Sequence, residues 1–176
     1  PIGDTPPALI ALGATITLRR GSERRTIGLE DFFIEYGRQD RRPGEFLEAV
    51  TIPRLPASDR YAAYKVSKRF DEDISTVMAA FRLRLDAGAV ADVTIAYGGM
   101  AGIPKRARTV EAALIGKPWS RETVEAAMAA YEEDFRPLTD WRASADYRMR
   151  VAKNLLLRFW LETTGSPVRL KEHADG

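Results

Sequence analysis

The chain has 176 residues, no cysteine, one histidine and a net charge of +2 from 27 basic and 25 acidic side chains. The missing thiols exclude disulfides, iron–sulfur ligation, thiolate catalysis and Cys-based zinc sites. His173, in a polar C-terminal tail, is a poor place for a catalytic base or an ordered metal ligand.

The near-balanced charge lacks the concentrated basic field of a nucleic-acid binder. The apolar runs fall far short of the ~20 residues a membrane helix needs. Pro1-Ile2-Gly3-Asp4 is neither basic nor apolar enough to open a signal peptide. The expectation is a cytoplasmic protein that binds neither nucleic acid nor membrane.

In chain order, residues 6–13 predict a short helix, with Pro6 and Pro7 in its first turn and Gly13 at its stop. Residues 14–20 and 23–29 alternate apolar and polar around Gly21-Ser22, which predicts a hairpin. One helical turn follows over 29–34, packing Phe32 or Phe33 inward, and then a charged loop over 37–43. Residues 46–52 alternate again and end at Pro53. Residues 54–59, with a second proline and no periodicity, predict a linker between two units, 1–53 and 60–165.

Beyond the linker, 61–67, 75–85 and 90–97 predict an antiparallel meander with a tight turn at Asp86-Ala87-Gly88. Helices follow over 109–115, from Ser120 onward, and from about Ser144 to Thr163, with Gly165 and Pro167 as the final stop. Residues 166–176 are read as a tail. The fold class is α+β: a β-rich first piece, then a three-stranded antiparallel sheet with helices on one face.

Four features offer chemistry, each with a plainer alternative. Asp4 lies in a Pro/Gly-rich turn before a helix, where an N-cap is the plain reading and an acceptor for ligand hydroxyls the functional one. Tyr97-Gly98-Gly99-Met100-Ala101-Gly102 matches neither a dinucleotide fingerprint nor a Walker loop; the plain reading is a strand-ending turn close to another backbone. The charged run Lys65 to Asp73, which includes Lys68, Arg69, Phe70, Asp71 and Glu72, reads as a solvated loop or as a lid over a ligand. Arg19-Arg20 and Arg24-Arg25 read as a solvated face rather than a phosphate site. Trp119, Trp141 and Trp160 read as core or interface residues.

Taken in order, five blocks resemble one family. They are Pro1 to Ala14; Gly44-Glu45-Phe46-Leu47; Tyr64-Lys65 through Ile74; Tyr97 to Arg106; and Thr139 to Arg148. Over residues 1–165 the chain resembles the C-terminal part of the flavin-binding region of the molybdenum hydroxylase family, as in the small, FAD-binding subunit of xanthine dehydrogenases. The resemblance implies the C-terminal portion of a PCMH-type FAD-binding domain followed by a domain like the C-terminal one of carbon monoxide dehydrogenase flavoprotein.

It also implies FAD as cofactor, with Asp4 at the ribityl hydroxyls, Ile2 in the same stretch, Leu47 against the ring and Lys65 lining the same pocket. Arg69, Asp71 and Asp73 would lie near the flavin and the nicotinamide side. No catalytic residue and no metal ligand is assigned to this chain. The molybdenum cofactor and the iron–sulfur clusters would belong to other domains or subunits.

The implied partners are the rest of the flavin domain, an iron–sulfur domain, a molybdenum-binding subunit and NAD. The implied function is electron transfer in a xanthine dehydrogenase, from a purine oxidised at molybdenum through iron–sulfur clusters to FAD and then NAD. The alternative is a non-catalytic docking piece of a carbon monoxide or aldehyde dehydrogenase. Because the family's motif begins before Pro1, the chain is expected to be part of a longer subunit, to hold no FAD by itself and to be inactive alone. It is further expected to expose an apolar surface over residues 8–12.

Overall fold

The computed structural model describes residues 2–69 and 71–165. His173, Phe70, Pro1 and the tail lie outside the described residues.

The chain opens with helix α1 (Thr5–Ala11), started by its two prolines. Strands β1 (Thr15–Arg20) and β2 (Glu23–Gly28) form the expected hairpin, and β5 (Phe46–Thr51) pairs with the other edge of β1 to give a three-stranded antiparallel sheet. Between them, α2 (Leu29–Phe32) buries Phe32. The segment expected as a charged loop instead closes a small hairpin of β3 (Phe33–Glu35) and β4 (Arg38–Gln39). Charge does not prevent pairing where the side chains stay in water, and Glu35, Arg38 and Gln39 all do.

The second sheet is a meander of β6 (Arg60–Val66), β7 (Val77–Asp86) and β8 (Ala89–Gly98), in sequential antiparallel order. It has four strands rather than three, because β9 (Lys105–Arg106) adds to the edge of β8. Two residues carry no alternation to read, so pairing there follows from the chain's return past β8 rather than from local pattern. Ala87 and Gly88, at φ 46° and 83°, make the two-residue turn between β7 and β8, the geometry that matches strand twist.

The two faces of this sheet differ in side-chain size. Val77, Ala79, Phe81 and Leu83 of β7, with Val93, Ile95 and Tyr97 of β8, enter the larger core. Helices α3 (Arg108–Leu114), α4 (Arg121–Ala127), α5 (Tyr131–Asp134) and α6 (Ala145–Thr163) cover that face. Ser120 and Ser144 cap α4 and α6 as their sequence positions predict.

The opposite face presents Ala80 and Ala96, which are register partners. They admit α1 closely, and Ile10 and Ala11 bury there with Ile16, Leu18, Leu29 and Phe32. Of the surface expected to be exposed over residues 8–12, Ile10 and Ala11 are instead buried against the second sheet, while Ala8, Leu9 and Leu12 are half-buried. The helices of the second unit thus lie on one face, as expected, and α1 of the first piece takes the other. Residues 52–59 run without regular structure between β5 and β6, while the two pieces share this second core. Among the described residues, no helix is long and apolar enough to cross a membrane.

Candidate functional site

Asp4 stands at the N-cap position of α1 but caps nothing: its backbone is αR and no side-chain cap bond forms. The carboxylate turns instead to the second sheet. Its Oδ2 accepts from Lys65 Nζ at 2.8 Å, and its Oδ1 accepts from the Ser75 hydroxyl. Lys65 sits near the end of β6, and Ser75 lies just before β7, with the Thr76 amide donating to the Val66 carbonyl at 2.7 Å. The two strands thus present an ammonium and a hydroxyl side by side to one acid. Ser75 is buried, whereas the Asp4 and Lys65 side chains stay 39% and 41% exposed.

The loop between β6 and β7 is organised by Asp73. Its carboxylate accepts from the Arg69 amide at 3.0 Å and from its neighbour's amide, Ile74, at 2.9 Å. These bonds, the Arg69 amide first, hold its carboxyl below the ordinary range. The Arg69 guanidinium reaches Asp73 at 3.7 Å and the Glu72 carbonyl at 3.2 Å. Asp71 is exposed.

Lys68 donates to the Trp141 carbonyl at 2.6 Å and lies 5.9 Å from that ring's centroid, and the Arg142 guanidinium lies 4.0 Å from it. Trp141 is 72% exposed, not a core residue. Its two cationic neighbours explain how an indole remains at the surface. Trp119, by contrast, is buried against Phe159.

Leu47 lies on β5, an outer strand of the first sheet, and is 42% exposed. Phe46, Val50, Ile52 and Ile2 are exposed as well. The structure therefore brings Asp4 and Lys65 into direct contact and places the Arg69–Asp73 turn on the connection that carries Ser75. It leaves Leu47 and Ile2 as separate exposed apolar groups.

Ser75 had no pattern to mark it. Nor did Arg148 and Asp140, although both fall in the Thr139–Arg148 block. The Arg148 guanidinium, 3% exposed, donates to the Thr76 and Gly99 carbonyls, the latter at 3.0 Å, and to Asp140 Oδ1 at 2.8 Å. The glycine stretch after β8 is the close approach its composition predicts: a Cβ at Gly99 would stand 2.3 Å from the Thr76 carbonyl oxygen.

The arginine runs of the first hairpin are paired. Arg19 and Arg24 share Glu48, and Arg25 binds Glu45 and Asp40. Hydrogen bonding from Arg25 holds the Glu45 carboxyl at about 2, and Arg24 with Arg19 does the same for Glu48. Arg20 pairs with Glu23, so each arginine of the two runs has a carboxylate partner. Among the described residues, no group of three His, Cys, Asp or Glu side chains could hold a metal ion.

The chain is similar to known proteins over most of its length. Residues 1–55 match the FAD binding domain in molybdopterin dehydrogenase, and residues 62–163 match the CO dehydrogenase flavoprotein C-terminal domain. The chain belongs to this flavin-domain family of the molybdopterin dehydrogenases. It is 34% identical over 168 residues to nicotinate hydroxylase of Emericella nidulans, covering 91% of this chain and 12% of that protein. It is 32% identical over 163 residues to the glyceraldehyde dehydrogenase medium chain of Sulfolobus acidocaldarius, covering 92% and 57%.

Carbon monoxide dehydrogenase from Hydrogenophaga pseudoflava superposes with a TM-score of 0.82 at 29% identity, covering 89% of this chain and 54% of that one. The chain thus spans between about an eighth and a little over half of these relatives.

Proposed function

We propose that these residues form part of the FAD site of a molybdenum hydroxylase, and that the complete protein works as a xanthine dehydrogenase-like, NAD-linked oxidoreductase. One observation carries the reading. An acid from the segment that matches an FAD-binding domain meets a cation from the segment that matches the flavoprotein C-terminal domain, at a place still open to solvent.

The donor set fits the cofactor. Each Asp4 carboxylate oxygen has a lone pair beyond those used by Lys65 and Ser75, so it can accept from ribityl hydroxyls. Leu47 and Ile2 offer apolar surface suited to a planar ring. When bound, FAD would take electrons arriving through iron–sulfur clusters of other domains and pass them to NAD.

The residues of this chain do the rest. Lys65 holds the Asp4 carboxylate at a fixed distance and keeps a positive charge beside it, which favours an electron-rich ring nearby. Ser75 donates to the second carboxylate oxygen and so fixes which lone pairs face outward. Asp73 holds Arg69 by its backbone, placing a guanidinium on the same loop, where it would set the charge met by a nicotinamide. Partners of the complete protein would be the remainder of the flavin domain, an iron–sulfur domain and a molybdenum-binding subunit.

The test is the dissociation constant of FAD for the full-length flavin subunit. Asp4→Ala and Lys65→Met should each weaken FAD about tenfold, the equivalent of one charge-assisted hydrogen bond. Unchanged flavin affinity in both variants overturns these site assignments. A docking piece without cofactor would show no visible flavin absorbance even at full length.

A further inference from the structure

Arg148 is the least expected charge in the molecule. Its side chain is 3% exposed; among the described residues its carboxylate partner is Asp140, itself 39% exposed, and its buried Nε meets no acceptor. Burying a guanidinium this way is a poor route to stability, since an apolar residue of similar volume often does as well or better. What a guanidinium supplies is a rigid fork of donors that fixes the relative position of several acceptors.

Those acceptors come from three separate places. The Nη1 atom holds the Thr76 carbonyl at the start of β7 and the Gly99 carbonyl just past β8. The Nη2 atom holds Asp140, whose Oδ1 also accepts from the Arg142 and Ala143 amides at 2.9 and 3.1 Å. Gly99 has no Cβ, and one placed there would come 3.1 Å from Nη1 as well as striking the Thr76 carbonyl. Close approach of two backbones and one guanidinium is therefore built into the local sequence.

Thr76 is the residue after Ser75, and its amide is bonded to Val66, the residue after Lys65. Thr76, which Arg148 grips at its carbonyl, thus adjoins Ser75 in the chain and is bonded through its amide to the neighbour of Lys65, the two donors of the Asp4 carboxylate. Asp140 in turn precedes Trp141, whose carbonyl takes Lys68. One buried fork connects to both sides of the candidate site without touching it.

We infer that Arg148 is a positioning residue for the Asp4–Lys65–Ser75 group, acting through the Thr76 carbonyl and, by way of Asp140, through the Trp141 segment. This rests on the flavin reading of that group.

The experiment uses the full-length flavin subunit with Arg148→Lys, Arg148→Met and, as a surface-accessible variant that spares the buried cation, Asp140→Asn. Amide hydrogen exchange is followed over residues 71–76 and over the β7–β8 core, and the FAD dissociation constant is measured alongside. Exchange over 71–76 should accelerate about tenfold while the core is unchanged, and FAD should bind more weakly by a similar factor. Arg148→Lys, which keeps the charge on a single nitrogen but loses the fork, should lie between wild type and Arg148→Met.

Unchanged exchange over 71–76 in all three variants overturns the inference. So does accelerated exchange with unaltered FAD binding when Lys65→Met does weaken FAD. If neither Lys65→Met nor the Arg148 variants move FAD binding, the flavin reading itself is overturned, and the inference with it.

Discussion

Replacing Gly99 with alanine tests the glycine with the least room for a side chain among the described residues. Gly99 has φ +80°, and the added Cβ would sit 2.3 Å from the Thr76 carbonyl oxygen and 3.1 Å from Arg148 Nη1. The left-handed backbone alone costs an alanine about 1–2 kcal/mol. Relieving the clash requires the Thr76 carbonyl to move, which breaks its bond to a buried guanidinium, at about 1.5–3 kcal/mol. Together these come to about 2.5–5 kcal/mol.

Gly88→Ala is the matched control. Gly88 has nearly the same φ, +83°, and nothing within 4 Å of its built Cβ, so it carries only the backbone cost. In urea, with a slope of about 2 kcal/mol/M, Gly99→Ala should lower the midpoint by about 1.2–2.5 M and Gly88→Ala by about 0.5–1 M. Equal shifts in the two variants would refute the close-approach argument and reduce Gly99 to an ordinary turn glycine.

Other outcomes follow from the same structure. Ala87 occupies φ 46° beside Gly88, so Ala87→Asn, which suits that turn, should raise the urea midpoint by the equivalent of about 0.5–1 kcal/mol. Hydrogen bonds from Arg25 and Arg24 lower the Glu45 and Glu48 carboxyls to about 2 from an ordinary 4.5. A depressed folded-state value gives stability that is full above about pH 4.5 and lost as pH falls toward 2. The Glu45→Gln, Glu48→Gln double variant should therefore lose stability less steeply than wild type across that window in urea titrations at stepped pH. Tyr97→Phe removes a hydroxyl that joins Tyr131 at 2.7 Å and donates to the Ala152 carbonyl at 2.9 Å. Equilibrium unfolding should register a loss of about 1–3 kcal/mol.

Much of the fold was legible because it is periodic. The alternation of β1, β2, β5 and the meander, and the serines before α4 and α6, placed those elements to within a few residues. The misses share a cause: they depend on what lies across space. Nothing around Lys105-Arg106 alternates, so its pairing with Tyr97 and Ala96 could not be read. The burial of Ile10 and Ala11 depends on Ala80 and Ala96, some seventy to eighty-five positions away, being small enough to admit a helix.

The candidate site divides in the same way. Asp4 and Lys65 were singled out by resemblance and meet in space. Their third partner, Ser75, is an ordinary serine until β7 turns it toward Asp4. Arg148 reads as one more charge on a helix until its guanidinium is found buried against two carbonyls. Trp141, read as a core or interface residue, is not in the core: it stands at the surface with Lys68 and Arg142 gathered on its ring.

The most direct test of the flavin reading is a hydrogen-exchange map of the full-length subunit with and without FAD. Added cofactor should protect three segments together: residues 2–5, 46–48 and 64–76. Protection confined elsewhere, with these three unchanged on FAD binding, would contradict it.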